Sequence, residues 1–229
     1  MLFRSSQEKQ IQVQQKQDIK GFTILELLVV ITIVAVVSAV GYPNFMDWRK
    51  DREIRGSMEK VSSMLRSINT QAQRGNYAVV QFMVKPSGTS TEFFSKGMSK
   101  STESTIANSS GQNVTCQIVN SGYWTNHQVE YSKYDVSTNI NNNGAVCFSK
   151  DTRYFLKEGK LSKQLNVSIE GRLTNNYIII CTTENANKSG GKCATTQADG
   201  LEKPAYLVEW NRFGNISKFK WGGSAWNRL

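Results

Sequence analysis

Lys20-Gly21-Phe22-Thr23-Ile24-Leu25-Glu26-Leu27-Leu28-Val29-Val30-Ile31-Thr32-Ile33-Val34-Ala35-Val36-Val37-Ser38-Ala39-Val40 is the stretch that decides how this chain is read. From Phe22 to Val40 it runs 19 residues, close to the ~20 that a bilayer's ~30 Å hydrocarbon core requires. Thirteen of those residues are Phe, Ile, Leu or Val. At ~0.3–0.6 kcal/mol each they favour insertion by roughly 4–8 kcal/mol, against about 2.5–3.5 kcal/mol opposing for one mid-membrane charge. Insertion therefore wins with Glu26 aboard, and the carboxylate needs a reason to be there.

Outward from this run the chain is polar. Residues 1–20 are Gln-rich, and no small-x-small site stands just after Val40, so the leader does not read as a secretory signal. Arg4, Lys9, Lys16 and Lys20 precede the span while Arg49, Lys50, Arg52 and Arg55 follow it, so positive charge gives no orientation. The net charge of +10 is uneven: residues 1–21 carry +2, residues 22–144 carry +2, and residues 145–229 carry +6. A basic C-terminal third permits nucleic acid, anionic lipid or an acidic partner.

Lys20-Gly21-Phe22-Thr23-Ile24-Leu25-Glu26 followed by the apolar run resembles the N-terminal class III signal of type IV prepilins and type II secretion pseudopilins. The resemblance covers about 25 residues, and Pro43 extends it, since pilins commonly carry a helix-loosening proline about twenty residues into the mature chain. It implies that a prepilin peptidase cuts between Gly21 and Phe22 on the cytoplasmic side and N-methylates Phe22. It also implies a pilin-like α+β fold, with a long N-terminal helix packed on an antiparallel β-sheet head. The expected organisation is a leader over residues 1–21, a pilin helix over 22–75 with its transmembrane part at 22–40, and a periplasmic or extracellular β-rich head over 76–229. The expected location is the bacterial inner membrane, single-pass with the N-terminus cytoplasmic, and then a filament or the cell surface. Expected partners are the peptidase, the membrane, the inner-membrane assembly platform and other pilins or pseudopilins of the filament.

Glu26 then acquires a role as a register pin. In a packed bundle it can meet the α-amino group of a neighbouring subunit, and a subunit slid to another level would bury a lone charge. Beyond it, Pro43 removes a helical hydrogen bond and predicts a kink. Ile54, Met58, Val61, Leu65, Ile68 and Ala72 then recur at steps of four and three, a single apolar stripe at helical period. Gly75 is placed to stop this helix, and Met58 and Met64 read as core filler.

From Asn76 the pattern changes to short strands, expected at 77–84, 113–119, 128–134, 145–148, 152–156, 165–169, 176–182, 205–210 and 215–221. Residues 99–111, 139–144 and 184–197 read as loops. Cys116, Cys147, Cys181 and Cys193 form no Cys-x-x-Cys, and with His127 the single histidine a zinc site is not indicated. An even count in an exported segment reads as two disulfides. Of the three connectivities, nearest-neighbour pairing is preferred because each bond would tie a long polar loop; four buried free thiols are the alternative.

No catalytic pattern, cofactor motif or metal site emerges. Gly190-Gly191-Lys192-Cys193 lacks the remainder of a phosphate loop, and His127 has no nucleophile motif beside it. The strand-rich head and Val208-Glu209-Trp210-Asn211-Arg212-Phe213-Gly214-Asn215-Ile216 resemble the FimT/GspH type of minor pilin, without the proline usual before the glycine. That resemblance implies a role in priming or capping a filament. It also raises DNA uptake, because some FimT-like pilins bind DNA through C-terminal basic residues. Here these would be Arg212, Lys218, Lys220 and Arg228, interleaved with Trp210, Phe213, Phe219, Trp221 and Trp226. The opposing reading is a plain final strand, with Ile216, Lys218 and Lys220 on one face and Phe219 and Trp221 on the other. A membrane-anchored periplasmic enzyme is the third reading, and it lacks a catalytic cluster.

Overall fold

The computed structural model describes residues 21–87, 90–110, 116, 121–131, 136–140, 144–149, 157–158, 167–211 and 213–229. The chain divides into two compact units, residues 1–45 and 46–229. Helix α1 runs Ile24–Gln73. In the first unit its described large apolar side chains are exposed, from 49% at Val30 to 81% at Ile24. A helix apolar on every face is built for an apolar surrounding. Among the described residues no single helix is long and apolar enough to cross a membrane; Ile24–Ala39 and Asn44–Gln73 pass that test only as a pair, by length and composition.

The second unit is an α+β head. The stripe from Ile54 to Ala72 is buried along its whole length. The helix stops where the sequence places a glycine: Gly75 takes φ +73°, and its N–H reaches the Ala72 carbonyl at 3.0 Å. Two antiparallel five-stranded sheets flank this helix, where the sequence suggested one. The first is ordered β3-β2-β1-β5-β6, from β1 (Val79–Ser87), β2 (Ser90–Met98), β3 (Thr125–Tyr131), β5 (Gly144–Ser149) and β6 (Lys157–Glu158). The second is ordered β12-β11-β10-β9-β4, from β4 (Val136–Thr138), β9 (Tyr177–Thr182), β10 (Ala205–Trp210), β11 (Ile216–Trp221) and β12 (Trp226–Arg228). A separate hairpin pairs β7 (Val167–Ile169) with β8 (Arg172–Thr174).

Period-two alternation gives both sheets two apolar faces. Val80, Phe82, Ile178, Ile180, Tyr206 and Val208 share the central core with the α1 stripe. The odd-numbered neighbours point outward into two further cores. Outside the first sheet, Val79, Ala145 and Cys147 pack with Ile106 of α2 (Lys100–Ser110). Outside the second, Tyr177, Ile179, Cys181, Leu207 and Phe219 lie under the hairpin, α3 (Thr183–Lys188) and the loop after it. Each outer core holds a disulfide, Cys116–Cys147 and Cys181–Cys193.

Helix α2 replaces the loop expected at 99–111. Ser99 caps it, its Oγ accepting from the Thr102 N–H at 3.1 Å, and Ile106 supplies the buried contact. Likewise α3 replaces the start of the loop expected at 184–197, capped by Thr182, whose hydroxyl accepts from the Asn185 N–H at 3.1 Å. The strands expected at 113–119 and 152–156 lie outside the described residues, except that Cys116 sits in a turn.

Candidate functional site

At the start of α1 the sequence Thr23-Ile24-Leu25-Glu26 has capping-box spacing. Thr23 caps the helix, its Oγ1 accepting from the Glu26 N–H at 3.1 Å while its carbonyl accepts from the Leu27 N–H at 3.1 Å. Glu26 occupies the first turn, where a carboxylate complements the positive end of the helix dipole. Gly21 precedes the helix with open space where a Cβ would stand and no positive φ. The described surroundings of Gly21 therefore place no steric demand for glycine there.

The basic C-terminal residues are divided by the fold. Lys218 faces α1, its Nζ 2.8 Å from Glu59 Oε1. Lys220 faces the same way, 3.0 Å from Asp51 Oδ1, and stands 5.5 Å over the Tyr206 ring. The Tyr206 hydroxyl donates to Asp51 at 3.0 Å. The hydrogen bond with Asp51 raises the Lys220 pKa, and burial raises that of Tyr206. Lys50 on α1 completes the row with Glu184 at 3.0 Å. Arg228 is exposed on β12, and Arg212 lies outside the described residues.

The aromatic residues interleaved with these cations are mostly interior. Trp210, Phe219, Trp221 and Trp226 are buried, whereas Phe213 is 55% exposed. The structure thus commits Lys218 and Lys220 to carboxylates of α1 and does not gather the aromatic rings into one exposed face. Sequence spacing grouped these residues, and their acidic partners lie some 160 positions away, beyond the reach of a local motif. His127 lies on β3. Among the described residues no three His, Cys, Asp or Glu side chains assemble as a metal site.

The N-terminal segment has relatives of known type. Residues 16–42 match the prokaryotic N-terminal methylation motif. The chain is also similar to a fimbrial protein of Moraxella nonliquefaciens, 30% identical over 56 residues that make up 24% of this chain and 36% of that protein. The chain thus spans about a third of the length of that curated relative. Both matches support a relation to the type IV prepilin superfamily. No solved structure matches the chain.

Proposed function

We propose that this protein is a non-enzymatic filament subunit of the type IV pilin class, processed between Gly21 and Phe22. The observation that carries the reading is the methylation motif at residues 16–42 joined to a helix whose first part is exposed and apolar on every face. A prepilin peptidase removes residues 1–21 and methylates Phe22. Residues 22–75 form the assembly helix, with 22–40 held in the inner membrane before assembly, and residues 76–229 form the exported head. Pro43 loosens the helix between its apolar and stripe-bearing parts. The assembly platform and the other pilins are its partners.

Within that class we read it as a minor pilin or pseudopilin that primes or caps the filament. The support is the FimT/GspH-like phrase at 208–216. A DNA-uptake role gains no support from Lys218 and Lys220, whose ammonium groups meet Glu59 and Asp51.

The test is co-expression with a prepilin peptidase and mass measurement of the product. The expected product begins at Phe22 and is one methyl group heavier than the plain chain; an uncut chain, or a cut elsewhere, refutes the reading. Glu26→Leu is expected to be processed but to enter filaments at least about tenfold less often, since a mismatched buried charge pair costs several kcal/mol. Normal incorporation of Glu26→Leu would remove the register-pin role.

A further inference from the structure

Helix α1 enters the second unit at Met46, and its first turns there carry a face that the sheets leave outside. Arg49, Arg52 and Arg55 recur at steps of three and are exposed. With 3.6 residues per turn, Arg52 stands roughly opposite Ile54 and Val61 of the buried stripe, its two neighbours lie about 60° to either side, and the row spans about 9 Å along the axis. Three other charged groups of these turns are engaged with the head: Lys50 meets Glu184 at 3.0 Å, Asp51 meets Lys220 at 3.0 Å, and Glu59 meets Lys218 at 2.8 Å. Glu53 borders the row half-buried and Asp47 falls on the stripe side, so three arginines stand here against one carboxylate. Farther along, exposed cations of α1 come singly, at Lys60 and Arg66.

A tryptophan shares this face. Of the five in the chain, Trp124, Trp210, Trp221 and Trp226 are 9% exposed or less, whereas Trp48 is 54% exposed. An indole left in water forgoes the burial that the other four obtain. The Arg52 guanidinium carbon lies 5.3 Å over its ring. A planar guanidinium stacked in this way covers one ring face and turns its N–H edge outward, where it can offer parallel donors to a phosphate oxygen pair. Indole and cation together suit the headgroup zone of a bilayer, where the ring meets the acyl boundary and the cation meets phosphate.

We propose that Trp48, Arg49, Arg52 and Arg55 bind the headgroups of anionic phospholipids in the periplasmic leaflet of the inner membrane. This rests on the reading that residues 22–40 are held in that membrane before assembly. Eight residues of chain lead from Val40 to Trp48, and even fully extended they reach less than about 30 Å. Anionic headgroups are therefore always within reach of this face in the unassembled subunit. The exposed cations are also densest at the end of the head nearest the apolar run. Nucleic acid fits less well. Three cations on one convex helix neutralise few phosphates of a duplex, and the exposed indole lies under Arg52, not open to a base.

The test co-expresses the full chain with a prepilin peptidase and purifies it in a neutral detergent, where intact mass reports the cut before Phe22 separately from lipid binding. Phosphatidylglycerol and phosphatidylcholine with matched acyl chains are titrated in, and bound lipid is counted by native mass spectrometry. Phosphatidylglycerol should bind at least about tenfold more tightly, given about fivefold per basic residue at an anionic surface, and the preference should shrink as salt rises to about 0.5 M. Arg49→Gln/Arg52→Gln/Arg55→Gln should abolish the preference with an unchanged melting temperature. Arg74→Gln/Lys203→Gln/Arg228→Gln, which removes three exposed cations elsewhere, should keep it. In vesicles holding headgroup-spin-labelled lipid, most of the indole quenching should vanish in Trp48→Phe. The proposal fails if the two lipids bind alike, if both triple variants behave the same, or if Trp48→Phe leaves the quenching intact. It fails equally if octaglutamate or a short DNA duplex displaces phosphatidylglycerol at equal charge concentration. A chain cut before Phe22 that shows no lipid preference overturns this proposal alone; a chain that does not partition into vesicles overturns the membrane reading with it.

Discussion

Asp51 receives the Tyr206 hydroxyl at 3.0 Å and the Lys220 ammonium at 3.0 Å, so one carboxylate of α1 fixes two side chains from neighbouring strands. Such a cluster alters the stability of the head with pH, and so does Tyr177, whose phenol burial pushes up to about 12. All three raised groups work in one direction. The folded chain keeps protons that the unfolded chain releases above its ordinary values of about 10–10.5, so stability is intact below that range and falls as pH rises through it. For buried Tyr177 the shift corresponds to roughly 3 kcal/mol once the unfolded phenol is ionised and the folded one is not. The urea midpoint should therefore stay level from about pH 7 to pH 9 and drop between about pH 10 and pH 11.5. Tyr177→Phe should remove the largest single share of that slope. A midpoint that stays level to pH 11.5, or a slope that Tyr177→Phe leaves intact, would contradict this assignment.

At the level of elements, each sheet buries one face on α1 and needs a cover for the other. The covers are short: α2 with Ile106 as its buried anchor on the first sheet, and the β7–β8 hairpin with the six-residue α3 on the second. Segments with so little apolar surface do not hold themselves down, and the two disulfides close their loops covalently. Loop closure over separations of 31 and 12 residues limits the unfolded chain by about 4 and about 3 kcal/mol. Cys181→Ser/Cys193→Ser should thus lower stability to urea by about 3 kcal/mol and speed amide exchange in residues 183–204 before the α1 stripe exchanges. Uniform exchange across the head would show that the loop and the central core unfold together. These covers were also the elements least legible in the sequence. The α1 stripe and the strands at 177–182, 205–210 and 216–221 stand out because they are long or densely apolar. By contrast α2, Lys-Ser-Thr-Glu-Ser-Thr-Ile-Ala-Asn-Ser-Ser, has loop composition, and only Ser99 as a cap marks its start. β2 escaped notice because its adjacent Phe93 and Phe94 sit among Ser, Thr, Lys and Gly, without a clean alternation.

For the whole molecule, legibility divides along the chain. The N-terminal motif could be read because its information is local: Gly21, Phe22 and Glu26 stand at short offsets within residues 16–42, where the methylation motif matches. The C-terminal basic strand could not, because what its lysines do is set by Asp51 and Glu59, which only the folded head brings near. The same division has a physical consequence. Among the described residues every member of the three cores lies at or after Ile54, and the ion pairs from α1 to α3 and the second sheet begin at Lys50. The described apolar side chains before Phe45 are exposed. A chain beginning at Met46 keeps all three cores, both disulfides and the ion pairs, and loses an exposed apolar segment. It should therefore express in an oxidising compartment, run as a monomer without detergent, and melt within about 4 °C of the full chain in detergent, the effect of under about 1 kcal/mol in a domain of this size. Circular dichroism melting and size-exclusion chromatography decide it: aggregation, or a melting temperature lower by about 10 °C or more, would mean that residues before Met46 stabilise the head.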